Sequence, residues 1–155
     1  MAQADFERVM SDVAATIGER ALDDDLAVFL NTQIPAEGDV FQQVEALCRD
    51  GEAEGWLCAR EMGGIRFGRA IKPGAQAGRF SVDVVRMTDV KGPHHIHTQG
   101  EIGMIMPVEG DAKFDDIERG WYVYPAGSDH WPTVTGGDAY ILYLLPDGAI
   151  EFTGK

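Results

Sequence analysis

Only two cysteines, Cys48 and Cys58, occur in the 155 residues of this chain. Their spacing matches neither a CxxC pair nor a zinc ribbon, which argues against a cysteine-held metal site. Both read as reduced, buried thiols acting as small apolar side chains. Basic residues are also scarce. Thirteen Lys and Arg stand against 26 Asp and Glu, for a formal net charge of −13. Phosphate backbones and anionic bilayer surfaces need a basic face, so the balance counts against nucleic acid and membrane as partners. It leaves room for an anionic small molecule, which needs one well-placed cation. No run approaches the unbroken apolar length that spans a bilayer. The opening Met1-Ala2-Gln3-Ala4-Asp5 has neither the basic nor the apolar region of a signal peptide, so a cytoplasmic location is expected.

What is present suits a core-forming protein. Apolar residues make up 45% and charged residues 25%, ordinary values for a globular domain. The length fits one domain spanning 1–155. Its character changes near residue 56, dividing a helical segment, 1–52, from a strand-rich part, 56–153. Phe6, Val9, Met10, Val13, Ala14 and Ile17 form one helical stripe, with Gly18 as a stop. A short second helix carries Leu26, Phe29 and Leu30, capped from Asp23-Asp24-Asp25 and ended by Pro35. Val40, Phe41, Val44, Leu47 and Cys48 make a third stripe, with Asp39 as cap and Gly51 as stop. These stripes can cover the strands or a partner subunit. From Trp56 on, short apolar runs alternate with turn signals. Strands are expected at 65–70, 80–87, 94–97, 102–107, 121–124 and 139–145, with a short last piece at 150–152. Many short strands at even spacing indicate a sandwich or barrel.

All four histidines of the chain lie between residues 94 and 130. Alternate residues of a strand share a face, so His95 and His97 can point inward together, about 7 Å apart at Cα. His94 has the opposite parity and reads as a surface or supporting histidine. A straight strand would carry Glu101 about 13 Å beyond His97. It reaches the same ion only if the chain turns at Thr98-Gln99-Gly100, which the glycine permits. His130 follows Pro125-Ala126-Gly127, a tight-turn signal. Three imidazoles and a carboxylate leave open positions on a five- or six-coordinate metal, as catalysis requires.

The segment Gly92-Pro93-His94-His95-Ile96-His97-Thr98-Gln99-Gly100-Glu101 resembles the first cupin motif. Gly120-Trp121-Tyr122-Val123-Tyr124-Pro125-Ala126-Gly127-Ser128-Asp129-His130 resembles the second. The resemblance implies a mainly β fold, a cupin-type double-stranded β-helix barrel with N-terminal α-helices. It also implies metal ligands at His95, His97, Glu101 and His130. Two departures stand out: Gly110 closes the first motif late, and Val134 stands where the second often has asparagine. A narrower likeness runs through Glu54-Gly55-Trp56-Leu57-Cys58, Gly64-Ile65-Arg66-Phe67, Phe80-Ser81-Val82-Asp83, Gly100-Glu101-Ile102, Gly120 to Pro125, and Gly148-Ala149-Ile150-Glu151-Phe152. These resemble the 4-hydroxylaminobenzoate lyase family of nitroaromatic degradation.

That likeness implies a lyase acting on a small aromatic carboxylate and releasing protocatechuate and ammonia. Glu101 would be catalytic and a divalent transition metal, Fe, Mn, Ni or Zn, would be the cofactor. A cation is expected at the carboxylate, with Arg66 the first choice and Arg69 the second. Tyr122, Tyr124, Trp131 and Tyr143 are read as core aromatics rather than site residues. Cupin likeness further implies a homodimer. Competing expectations are an Fe(II)-dependent cupin dioxygenase, a non-enzymatic small-molecule-binding cupin and a sugar-isomerase-like cupin.

Overall fold

The computed structural model describes residues 2–155. Three helices come first: α1 (Ala2–Ile17), α2 (Asp24–Gln33) and α3 (Asp39–Glu54). The strands follow as β1 (Arg60–Met62), β2 (Ile65–Ile71), β3 (Phe80–Lys91), β4 (His95–His97) and β5 (Glu101–Glu109). The rest are β6 (Lys113–Phe114), β7 (Gly120–Tyr124), β8 (Ser128–His130), β9 (Thr133–Pro146) and β10 (Glu151–Phe152). The large sheet runs β1-β2-β3-β9-β5-β7, with β6 also on β9. A small sheet, β10-β4-β8, faces it. Every pairing described is antiparallel. The result is a mainly β, cupin-type barrel with helices at its N-terminus.

Period-two alternation divides the large sheet into two buried faces. On β9 and β5, Tyr140, Leu142, Leu144, Ile102, Met104 and Met106 join the cluster formed by the helices. The alternate residues Ala139, Ile141 and Ile105 join Phe114, Tyr122 and Val134 in the barrel interior. The helical stripes therefore cover the barrel's outer face, with Phe6, Met10, Leu30 and Phe41 fully buried there. A sheet buried on both sides explains why these strands read as unbroken apolar runs.

The helix ends follow their caps. Asp23 caps α2, its carboxylate accepting from the Leu26 N–H at 3.0 Å. At α3 the cap is Gly38 rather than Asp39, and the helix passes Gly51 to end at Gly55, which is left-handed at φ +88°. Gly51 is needed inside the helix. A Cβ there would lie 2.7 Å from the Trp56 ring, which folds back across it. Three strands lie outside the expected set: β1, β6 and β8, each of two or three residues. They are too short to carry an apolar period. Among the described residues no helix is long and apolar enough to cross a membrane.

Candidate metal centre

The small sheet positions the histidines. In β4, His95 pairs with His130 of β8, and His97 pairs with Ser128. Equal parity turns His95 and His97 to the same side. The chain then reverses at Gly100, whose φ of +92° excludes most other residues. The Gly100 and Gly127 N–H groups both donate to the His97 carbonyl, at 3.1 and 2.8 Å. This reversal starts β5 at Glu101, on the parity of Gly103 and Ile105 that faces the interior.

Donor atoms of His95, His97, Glu101 and His130 all lie within 4.8 Å of one another. The three Nε2 atoms form a triangle of 3.0 Å (His95–His97), 3.1 Å (His97–His130) and 2.9 Å (His130–His95). Glu101 Oε1 lies 3.3 Å from His97 Nε2. Hydrogen bonds cannot satisfy this triangle, because one ring nitrogen cannot both donate and accept. A cation can. Adjacent ligands around an octahedral ion with bonds of about 2.1 Å stand about 3.0 Å apart, against about 3.4 Å in a tetrahedron. The spacing thus fits three adjacent positions of an octahedron, and the donor set fits a transition metal.

The site's electrostatics agree with that use. Burial lowers the His95 pKa to about 4 and the His97 pKa to about 3, with neighbouring imidazoles adding to both shifts. Each ring is therefore neutral at pH 7, with a lone pair free for an ion. Burial pushes Glu101 up to about 8. The Tyr122 phenol opposes part of that rise, although neither its hydroxyl nor Glu101 Oε2 has an aligned hydrogen-bond partner. Without metal, Glu101 keeps its proton at pH 7, and a cation must displace it. Metal uptake at pH 7 is therefore expected to release about one proton. Affinity should rise with pH and level off above about 8. Calorimetry in buffers of differing ionisation enthalpy reads the proton directly. Release of two or more would mean that the histidines are also protonated.

Asp115, between β6 and β7 and not among the expected site residues, completes the support. Its Oδ2 accepts from His130 Nδ1 at 2.6 Å and from the Tyr124 hydroxyl at 2.8 Å. Its Oδ1 accepts from the Thr133 N–H at 3.0 Å. The carboxylate thereby puts a proton on Nδ1 and frees Nε2 to face the cluster. Asp115 and Asp116 both adopt left-handed backbone, at φ +50° and +65°, a local strain held by these bonds. Asp115→Asn should weaken metal binding about 10- to 100-fold. Titration of the metal-free variant checks this, and unaltered affinity would remove Asp115 from the site.

His94 points away from the cluster but is not on the surface. It is buried, with Thr153 Oγ1 at 2.5 Å, Asp129 Oδ2 at 2.7 Å and the Trp131 ring against it. It fastens the C-terminal segment to β4 and β8.

A cavity of about 400 Å³ opens beside the cluster. His95, Glu101 and His130 contribute to its wall, and most of the rest is apolar, including Ile65, Phe67, Met87, Phe114, Ile141 and Phe152. Neither Arg66 nor Arg69 lines it, contrary to expectation. On β2 the cavity takes Ile65 and Phe67, so Arg66 faces the opposite side. Its Nε donates to the Cys58 carbonyl at 3.3 Å and lies 3.6 Å from Glu52. Arg69 is engaged by Asp83 at 2.8 Å and by the Gly148 carbonyl at 3.2 Å. Of the aromatics read as core, Tyr143 lines the cavity and Trp131 is 43% exposed.

The family model for 4-hydroxylaminobenzoate lyase matches residues 8–152. A 4-hydroxylaminobenzoate lyase of Nocardioides sp. (strain LMS-CY) is 30% identical over 142 residues, covering 86% of this chain and 84% of that one. A 4-hydroxylaminobenzoate lyase of Pseudomonas putida is 27% identical over 158 residues, covering 91% and 90%. Among solved structures, an RmlC-like cupin protein from Ralstonia eutropha JMP134 overlaps 57% of this chain and 59% of its own, at 15% identity and a TM-score of 0.42.

Proposed function

The chain belongs to the 4-hydroxylaminobenzoate lyase family, and we propose that it converts 4-hydroxylaminobenzoate and water to protocatechuate and ammonia at a metal held by His95, His97, Glu101 and His130. The observation that carries this reading is the four-residue cluster beside an apolar, ring-sized cavity, with His95, Glu101 and His130 in its wall. The reaction balances without an external oxidant. One water enters, ammonia leaves, and the N–O bond serves as internal oxidant for the new ring hydroxyl. A divalent ion, when bound, supplies Lewis acidity toward the hydroxylamino oxygen or a water.

The protein's own groups perform the rest. Phe67, Met87, Phe114 and Ile141 would clasp the ring and keep bulk water out. His95 and His97 are neutral donors at pH 7, and His130 presents Nε2 because Asp115 engages its Nδ1. Glu101 Oε1 faces His97, while Oε2 is buried without a partner. That free oxygen is the atom at which a proton can be held. It takes one from the incoming water and returns it to the departing oxygen or nitrogen.

Incubation with 4-hydroxylaminobenzoate under nitrogen tests the reading. Ammonia and protocatechuate should form in equal amounts at an unchanged rate. A strict need for O₂ would make the protein a dioxygenase instead. Binding without turnover by metal-loaded protein would make it a carrier.

A further inference from the structure

We infer that Lys91 is the residue that selects a carboxylate on the ring, a role resting on the proposed aromatic substrate. Among the described residues lining the cavity, Lys91 is the sole Lys or Arg. It is exposed while still contributing to the wall, which puts its ammonium at the mouth. His95, Glu101 and His130 line the same cavity. A para-disubstituted ring can present one group to that cluster and its carboxylate to Lys91.

The position is well defined. Lys91 ends β3, opposite Thr133 of β9, three residues beyond His130. The next residue, Gly92, is pinned by its N–H donating to the Pro132 carbonyl at 2.6 Å. No Cβ fits at Gly92, since it would lie 2.9 Å from the Pro132 ring. The ammonium lies 4.9 Å from the centroid of the Trp131 ring, and that ring rests on buried His94 at 4.4 Å. Cation–π attraction thus fixes the ammonium beside Trp131, at the edge of the cavity to which Lys91 contributes.

The charge background gives the residue its importance. A protein at −13 repels an anionic substrate. The arginines Arg66, Arg69 and Arg86 of β2 and β3 are engaged by Glu52, Asp83 and Asp138, and none of them lines the cavity. Lys91 is left to provide the counter-charge, and a ligand filling the cavity would exclude water from one side of that contact.

The test compares two inert analogues, 4-aminobenzoate and the neutral, similarly shaped 4-aminobenzamide, by calorimetric titration of metal-loaded protein. The parent protein should bind the carboxylate about 10- to 100-fold more tightly. Lys91→Met should erase that preference and leave the amide's affinity unchanged, and Lys91→Arg should restore most of it. A preference kept in Lys91→Met, or absent from the parent, overturns the assignment. So does loss of both ligands in Lys91→Met at an unaltered melting temperature, which would make Lys91 a prop for the wall. Turnover is not needed for this readout. Absence of ammonia release alongside an intact preference would sink the lyase reading alone.

Discussion

His97→Ala is expected to abolish metal retention and lower turnover of 4-hydroxylaminobenzoate by about 10³-fold or more. His97 is fully buried and stands within 3.0 to 3.3 Å of the donor atoms of His95, His130 and Glu101. Removing it opens the ligand shell at the position that touches every other member. Water filling the gap would bind the ion far less firmly than an imidazole fixed on a strand. The fold should survive, because the lost ring is polar and lies outside both apolar clusters. His94 provides the contrast from the adjacent position. His94→Gln faces the other way and should keep its metal while loosening the C-terminal strand. Equal metal content in parent and His97→Ala would contradict the ligand assignment.

Gly103→Ala should be among the most destabilising single-methyl changes in the barrel. The Tyr122 ring lies flat across Gly103, so an added Cβ would sit 2.0 Å from Cζ and 2.3 Å from the hydroxyl oxygen. The ring has nowhere to retreat. Phe114 and Tyr124 hold it at centroid distances of 5.3 and 4.8 Å. Overpacking of this kind costs about 3 kcal/mol, which for a chain of this size lowers Tm by roughly 6–12 °C. The displaced phenol also leaves Glu101, so activity should fall further than stability explains. Tyr122→Val in the same chain removes the obstructing ring and should recover much of the lost Tm. A Gly103→Ala variant melting within a degree of its parent would refute the contact.

The residues whose role depends on local parity were legible from sequence. His95, His97 and the turn at Gly100 follow from alternation along one strand and one glycine. Strand β5 and the apolar stretches 80–87 of β3 and 139–145 of β9 were legible as short apolar runs. The polar extensions 88–91 and 133–138 were not, since only their pairing with each other makes them strand. Roles set by tertiary pairing were not. Asp115 reaches His130 from a loop 15 residues away, and nothing in Phe114-Asp115-Asp116-Ile117 distinguishes it from any acidic turn. The arginines show the opposite failure. Charge type suggested Arg66 and Arg69, but strand direction sends Arg66 toward Glu52, and Arg69 is taken by Asp83. Lys91 lies at a strand end, where its sequence neighbourhood does not reveal that a cavity opens beside it. Gly51 misled for a similar reason, since close packing of Trp56 and not a helix stop requires it.

The most direct test of the central claim is X-ray absorption at the metal edge of protein loaded with one equivalent of ion. The expected spectrum has a first shell of nitrogen and oxygen at about 2.1 Å, with the outer-shell signature of three imidazoles and no sulfur. One imidazole should disappear in His130→Ala. A sulfur shell, or an imidazole count unmoved by that substitution, would contradict it.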